Sequence, residues 1–370
     1  MSDFINTKKE QFLGFDYFFN HTTPARDEFD YRVHKKEYSQ YYAKYGFQVS
    51  MAYADYYSHM FCPEFSDRFM SADVYYFYVI PCLNRFDFTE AYMDKNYLER
   101  VFPGFNKPKL IIKNTNGHFF TPDDKAITEK EAIQIVLDSN MECIAKPSVE
   151  TGCGVGVQLI NKESLSSKTL SDVFASMGGA NFNVQEKVQQ CDLLSQLNPT
   201  SLNTFRIYTY RALSGKIIHL VTSIRFGGKG AFIDNASAGG GVCHVFDDGL
   251  VDQTIFKFKT FKRGTLKDSL GIDKMVIPNY DRVLDFVFKL HAQVPYFDLV
   301  GWDIGIDKNN DPIFIEMNLR AEVDHAQMMG GPMFGEYLDE VMERTARVQK
   351  QYRNCVEIKY DTGSKIRMLM

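Results

Sequence analysis

The stretch GWDIGIDKNNDPIFIEMNLR, residues 301–320, places two short apolar segments on either side of KNND. Asparagine tolerates positive φ, so Asn309–Asn310 reads as a tight turn and the stretch as a β-hairpin. A two-residue turn fixes the register. Lys308 faces Asp311, Ile306 faces Ile313, Ile304 faces Ile315, and Asp303 faces Glu316. Directly opposed β-carbons lie about 5 Å apart, and like charges so placed destabilise a sheet. Asn318, two residues beyond Glu316, shares its face. An Asp, a Glu and an Asn on one face form an all-oxygen donor set, and Mg²⁺ is held by one or two such carboxylates together with substrate phosphates. The alternative is a solvated face whose acids point into water, or a one-residue slip that parts the pair.

A chain of 370 residues exceeds what one core usually serves, so two or three subdomains are expected. Apolar residues make up 45% and aromatics 14%, ample for packed cores. The formal charge of −5 supplies no basic face of the kind nucleic acid requires, so no nucleic-acid partner is expected. MSDFINTKKEQF is too polar for a signal peptide. The most apolar run, SADVYYFYVIPCLNRF, is too short to span a membrane and is interrupted by Pro81. Seven scattered cysteines without a CxxC pair read as reduced thiols, and a cytoplasmic location is expected.

Four regions follow from changes in character along the chain. Residues 1–93 are rich in Tyr and Phe at helical spacing and read as a helix-rich N-terminal region. Residues 94–190 hold a helix with Asp94 as N-cap, strands around the Asn114–Gly117 turn, a capped amphipathic helix, and the strand–loop–strand MECIAKPSVETGCGVGVQLI. Residues 191–350 alternate strands with long loops, among them the glycine-rich GKGAFIDNASAGGGV, and end in two helices flanking the hairpin. Residues 351–370 read as a short appended strand or tail.

In IAKPSVETGCGVGVQL a lysine, Lys146, ends a strand and is followed by Gly152, Gly154 and Gly156. The loop lies between two strands, so it is neither a P-loop nor a dinucleotide fingerprint, both of which run from strand into helix. A glycine loop between strands can fold over a polyphosphate and offer it backbone N–H groups, with Lys146 as a point charge. A plain glycine-bearing hairpin is the alternative. Together with a Mg²⁺-type hairpin some 150 residues on, both halves of a metal–nucleotide site are present.

These segments, in this order, resemble the ATP-grasp superfamily. MDKNYLERVF resembles the first phosphate-binding lysine segment of D-alanine–D-alanine ligases, at Lys95. AKPSVETGCGVGV resembles their second-lysine strand and mobile glycine loop, at Lys146. VQEKV resembles the hinge strand that reads adenine, implicating Gln185, Glu186, Lys187 and Val188. GWDIGI and IFIEMN resemble the metal strands, placing ligands on Asp303, Glu316 and Asn318. SLNTFRIYTYR and IRFGGKGAFIDNASAGGGV look more specifically like the sugar-transfer-associated ATP-grasp family. The resemblance covers residues from about 94 to 345. It implies an α+β ATP-grasp fold, with two α+β subdomains gripping ATP between antiparallel sheets. It also implies ATP and Mg²⁺ as cofactors, and an ADP-forming carboxylate–amine ligase acting through an acyl phosphate in polysaccharide or amino-acid-conjugate biosynthesis. The substrates would be a small carboxylate and an amine, free or sugar-linked. A kinase acting on a sugar or another small hydroxyl acceptor is the alternative, with Asp324 or Asp234 as its base.

Two departures stand out. The ligases carry an arginine two residues before the first metal acid, where this chain has Gly301. The phosphoryl-steadying charge is therefore sought in Arg225 first and Arg206 second, each of which can equally be one half of a structural ion pair. After the metal asparagine the ligases read Ser-Pro-Gly, whereas this chain reads Leu-Arg-Ala-Glu. Arg320 and His325 become candidates for orienting the acceptor, His325 with a structural role as the alternative. Asp234–Asn235 can line the acceptor pocket or make a turn, and Cys153 is given no chemistry.

Overall fold

The computed structural model describes residues 32–49, 53–54, 65–149, 154–231, 240–256, 263–351, 355–359 and 365–369. Gly152, Cys153, Asp234, Asn235 and the side chain of His325 lie outside the described residues.

Asn116 and Gly117, at φ of 53° and 85°, close a hairpin between β1 (Leu110–Thr115) and β2 (His118–Phe120). Both central residues at positive φ suit the twist of the paired strands. With β3 (Ala126–Ile127), β4 (Cys143–Pro147), β5 (Gln158–Ile160) and β6 (Phe182–Glu186) they form a six-stranded antiparallel sheet in the order β3-β2-β1-β6-β4-β5. The helix Glu129–Ser139 opens on a capping box between Thr128 and Glu131 and stops at left-handed Asn140. Its Ala132 and Val136, with Leu170 and Phe174 of the helix Ser167–Ser176, cover Ile112, Ala145, Val184 and Phe182 on one face of the sheet. The other face is polar yet buried: Lys113, Asn183 and Lys146 stand in one row across β1, β6 and β4, with Gln185 beside them.

The second sheet has seven strands: β7 (Thr204–Arg211), β8 (Ile217–Phe226), β9 (Gly241–Val245), β10 (Thr254–Phe256), β11 (Arg263–Thr265), β12 (Leu299–Ile306) and β13 (Pro312–Asn318), in the order β11-β10-β9-β8-β7-β12-β13. One face carries Phe205, Ile207, Ile224, Trp302 and Ile304, packed under Val283, Val287 and Leu290 of the helix Tyr280–Ala292. The other face bears one polar row across five strands: His244, Ser223, Arg206, Asp303 and Glu316.

Beyond that row the same face turns apolar. There Tyr208, Tyr210, Val221 and Ala321 pack against the aromatic N-terminal region. In this region a helix runs over Arg32–Ala43, and a second, 72–83, contains a π-helical turn at Tyr75–Val79. The expected N-cap at Asp94 is not formed. Asp94 follows the helix Phe86–Met93 and makes an Asx turn, its Oδ1 accepting from the Asn96 amide at 2.9 Å. The next helix starts only after Tyr97. The C-terminal segment is a two-stranded hairpin, β14 (Cys355–Lys359) with β15 (Lys365–Leu369). Among the described residues no helix is long and apolar enough to cross a membrane.

Beneath the Asp303 row runs a buried chain of hydrogen bonds. Trp302 Nε1 donates to Thr209 Oγ1 at 2.8 Å. Thr209 Oγ1 lies 2.7 Å from His291 Nδ1, and His291 Nε2 lies 2.9 Å from the Phe297 carbonyl. The carbonyl can only accept, so Nε2 carries the proton and Nδ1 accepts from the Thr209 hydroxyl. Burial pushes the His291 imidazole down to about 3, against the pull of the Phe297 carbonyl. Unfolded, the same group titrates near 6.5, so between these values only the unfolded chain binds the proton. Stability should therefore fall as pH drops from 6.5 towards 3, with His291 contributing a slope of up to about 1.4 kcal/mol per pH unit. Urea unfolding followed by Trp302 fluorescence at several pH values checks this: His291→Gln should lose that part of the slope, and an unchanged slope would refute it.

Candidate active site

The hairpin pairs Asp303 with Glu316 as the sequence suggests, by a different route. The loop has three residues rather than two. Asp307 accepts from the Asn310 amide at 2.9 Å, Asn310 sits at φ 63°, and the Asp307 amide donates to Asp311 O at 2.9 Å. Pairing then proceeds as Ile306 with Pro312, Gly305 with Ile313 and Ile304 with Phe314, one residue off the expected register. A bulge at Ile315 adds one residue to β13 and restores the register, so that Asp303 meets Glu316, Trp302 meets Met317 and Gly301 meets Asn318. Bulges of this kind re-aim side chains next to functional sites.

Both arginines singled out in the sequence reach Asp303. Arg206 is its direct partner on β7, with Nε 2.5 Å from Oδ1 and Nη2 3.2 Å from Oδ2. Arg225 comes from β8, its Nη2 2.7 Å from Oδ2 and 2.9 Å from Thr204 Oγ1. The Asp303 side chain is 4% exposed. Burial alone would raise its pKa, but the two guanidiniums override this and hold it well below the usual carboxylate range. Gly301 makes the arrangement possible. A Cβ there would stand 2.7 Å from Ala321 Cβ and 3.3 Å from Arg206 Cδ. The place two residues before Asp303 thus carries no side chain, and the stem of Arg206 lies across it from the next strand.

Lys95 and Lys146 approach from the other side. The Lys95 amide donates to Ser148 O at 2.9 Å, which ties it to the end of β4, and its Nζ lies 3.4 Å from Glu316 Oε2. Lys146 is buried. Desolvation, with a smaller push from Lys95 and against the pull of Glu316, brings its ammonium down to about 8. Among the described residues, Lys95, Lys146, Arg206 and Arg225 gather around two acids, Asp303 and Glu316. Two buried polar atoms on the face of the lysines, Ser148 Oγ and Asn183 Oδ1, have no hydrogen-bond partner among the described residues. Such groups normally find one. The two ammonium groups and the Ser148 hydroxyl are donors of the kind that hold phosphate oxygens.

The glycine loop is described from Gly154, where Gly154 and Gly156 have φ of 71° and 79°. A Cβ at Gly156 would stand 2.8 Å from Pro147 Cγ. Gln185 is buried within β6. The amides of Glu186 and Lys187 are taken by Lys109 O and Glu142 O, both at 2.9 Å, while Glu186 Oε1 accepts from the Lys109 amide at 2.8 Å. The Val188 amide makes no backbone–backbone hydrogen bond among the described residues. Arg320 is not brought into the Asp303 cluster. Its guanidinium lies 2.6 Å from Glu90, 3.0 Å from Thr89 Oγ1 and over the Phe86 ring.

The donor set partly fits a hard cation. Glu316 is 27% exposed and its ion pair is long. One end of the Asn318 amide is buried without a partner among the described residues, and a half-turn about χ2 exchanges its nitrogen for its oxygen. Asp303 fits less well, since both of its oxygens accept from guanidinium groups.

Sequence reasoning did not find the residues that hold the turn after Asn318. Asn84 Nδ2 donates to Leu319 O at 2.8 Å, Tyr75 Oη to Ala321 O at 2.9 Å, and Tyr208 Oη to Glu322 O at 2.6 Å. The Gln327 amide pairs both ways with the Met70 backbone, at 2.6 and 2.9 Å. In a region so rich in tyrosine, nothing in the sequence marks Tyr75 apart from its neighbours.

A profile of the sugar-transfer associated ATP-grasp family matches residues 79–343. The chain belongs to this family. Its fold is the ATP-grasp fold, α+β, with two antiparallel sheets. Similar solved structures include the ATP-grasp ligase PsnB complexed with a minimal precursor, at 13% identity and a TM-score of 0.39, covering 69% of this chain and 61% of that one. The D-alanine–D-alanine ligase from Coxiella burnetii is 10% identical, with a TM-score of 0.39 and coverages of 70% and 60%. The biotin carboxylase domain of 2-oxoglutarate carboxylase from Hydrogenobacter thermophilus is 14% identical, with a TM-score of 0.43 and coverages of 78% and 50%. The chain thus spans less than two thirds of the length of these structures. No curated protein matches it.

In this ATP-grasp chain Gly301→Ala tests whether the Arg206 stem needs its gap. Overpacking there should cost about 1–3 kcal/mol of stability and lower any ATP-dependent turnover by displacing the guanidinium. Thermal unfolding and turnover both unchanged would refute the placement.

Proposed function

We propose that this chain is an ATP- and Mg²⁺-dependent carboxylate–amine ligase that works through an acyl phosphate, in polysaccharide or amino-acid-conjugate biosynthesis. The observation that carries this reading is the pair of guanidiniums, Arg206 and Arg225, gathered beside Glu316 and the two lysines. A ligase needs fixed positive charge to grip a carboxylate beside the γ-phosphate and to stabilise the oxyanion when the amine attacks. A sugar kinase needs a general base near neutrality. Asp303, the buried acid of the cluster, is held ionised by its arginines and is a poor base. Of the other two candidates, Asp234 lies outside the described residues, and Asp324 acts electrostatically on Tyr75 and Tyr76.

Each residue then has a task. Lys95 and Lys146 hold the α- and β-phosphates beside Glu316. The Val188 amide, which has no backbone partner among the described residues, offers a donor to the adenine edge just beyond the hinge strand, with Gln185, Glu186 and Lys187 fixing its position. Glu316 and Asn318 would hold Mg²⁺, which would supply positive charge to offset that of the phosphates. Arg206 and Arg225 orient the substrate carboxylate towards the γ-phosphorus. Its oxygen attacks, ADP leaves, and the same guanidiniums stabilise the tetrahedral oxyanion as the amine displaces phosphate. The loop carrying Gly152, Gly154 and Gly156 covers the phosphates and keeps water from the acyl phosphate. No side-chain nucleophile is required.

Phosphorus NMR with Mg-ATP and a panel of uronic acids, sugars and amino acids tests the reading. ADP and free phosphate should appear only when a carboxylate and an amine are both present, and a new phosphate-ester signal would make the protein a kinase instead. Glu316→Gln should abolish turnover, and activity near that of the unaltered protein would remove Glu316 from the site. Polyphosphate favours the charged form of Lys146, so ATP binding above pH 8 must take up a proton. ATP affinity should fall as pH rises from 7 to 9, and Lys146→Arg should flatten that dependence. Calorimetry in buffers of different ionisation enthalpy reads the proton uptake directly.

A further inference from the structure

We propose that Asp303 is not a metal ligand in this chain. It is the anchor of a two-arginine clamp, and the nucleotide-bound metal is held by Glu316 and Asn318 without it. The inference rests on the ATP-ligase reading above and assigns roles within the same site.

The argument starts from acceptor capacity. A carboxylate offers about four lone-pair positions. Three of those on Asp303 receive N–H groups: Arg206 Nε on Oδ1, and Arg206 Nη2 with Arg225 Nη2 on Oδ2. The guanidiniums are not loosely parked. Arg206 is the register partner of Asp303, and its stem fills the gap left by Gly301 against Ala321. Its charge also acts on the buried Tyr208 hydroxyl. Arg225 is braced by Thr204 Oγ1. To expose a second Asp303 lone pair, at least one of these braced arginines has to leave.

Charge points the same way. Two cations on one acid leave the immediate surroundings of Asp303 net positive, which repels a dication. Among the described residues Glu316 makes one ion pair, a longer one with Lys95 at 3.4 Å, and its side chain is more accessible than that of Asp303, at 27% against 4%. Asn318 presents an amide end with no partner. One carboxylate and one amide oxygen, completed by phosphate oxygens and water, is an ordinary complement for Mg²⁺. The division of labour follows: Glu316 and Asn318 set metal affinity, while Asp303 fixes the two guanidiniums without touching the metal.

Manganese substitutes for Mg²⁺ and is visible by EPR, so titrating Mn²⁺ into the protein with ADP separates these roles. Glu316→Gln should weaken Mn²⁺ binding in the ADP complex by about tenfold or more, the range seen when metal-site residues are lost. Asp303→Asn should leave Mn²⁺ affinity within about twofold, while turnover falls by about a hundredfold, as when an oxyanion-stabilising group is lost. Equal losses of Mn²⁺ affinity in the two variants would overturn the inference. Failure of the unaltered protein to bind Mn²⁺–ADP at all would overturn the nucleotide-site reading, and the inference with it. Anomalous scattering from manganese in crystals of the unaltered protein with ADP needs no variant to fold. The peaks should lie at bonding distance, about 2.1 Å for a small hard cation, from Glu316 and Asn318. A peak at that distance from Asp303 would overturn the assignment.

Discussion

Three charges on three adjacent strands, Arg206 on β7, Arg225 on β8 and Asp303 on β12, fix the centre of this protein. Taking such groups out of water is costly, and a buried ion pair often stabilises no better than a well-packed apolar substitute. Once the groups are buried, however, removing Asp303 leaves two guanidiniums without their acid, at a cost of about 3–5 kcal/mol. The triple therefore acts against alternatives. A slip of β7 against β12 would part Arg206 from Asp303 and place unpaired charges on the apolar face under the helix Tyr280–Ala292. Other features serve the same arrangement. Gly301 leaves room for the Arg206 stem, the bulge at Ile315 returns Glu316 to the face of Asp303, and the Trp302–Thr209–His291 chain fixes the reverse side of the same strand.

How much of this was legible in the sequence depends on how local the cause is. The Thr128–Glu131 capping box and the Asn116–Gly117 turn are set by residues a few positions apart and were readable. The Asp303–Glu316 pairing was also readable, through two departures that cancel. One extra residue in the loop shifts the ladder, and one extra residue in β13 shifts it back. Composition cannot separate a short turn on a regular ladder from a longer turn on a bulged one. Asp94 misled for a similar reason. Its side chain satisfies a backbone amide two residues on, as an N-cap would, but in a turn that precedes the helix.

What the sequence could not give is pairing across long separations. The choice between Arg206 and Arg225 presumed that one of them replaces the missing strand arginine. The structure brings both to the same acid, because β7 lies between β8 and β12. Arg320, adjacent in sequence to the metal strand, is drawn off by Thr89 and Glu90 on a helix more than two hundred residues away. Nearness in sequence to Asn318 was a poor guide there, because successive residues beyond a strand end point in different directions.

The N-terminal region follows from this logic. The family profile begins at residue 79, yet residues before it hold the turn that follows Asn318. Tyr75 satisfies the Ala321 carbonyl, and the Met70 backbone is paired with Gln327. Tyr75 also opens the π-helical turn Tyr75–Val79, a geometry often found beside functional sites. Each of these contacts satisfies a buried polar group that would otherwise cost about 1–3 kcal/mol. The conformation of Leu319–Glu322 is therefore set largely from outside the two sheets, and the direction of Asn318, one residue earlier, is set with it. The aromatic region is thus part of the scaffold that aims the site, and a change at Tyr75 reaches Asn318 through one short turn whose Leu319, Ala321 and Glu322 carbonyls are held by side chains.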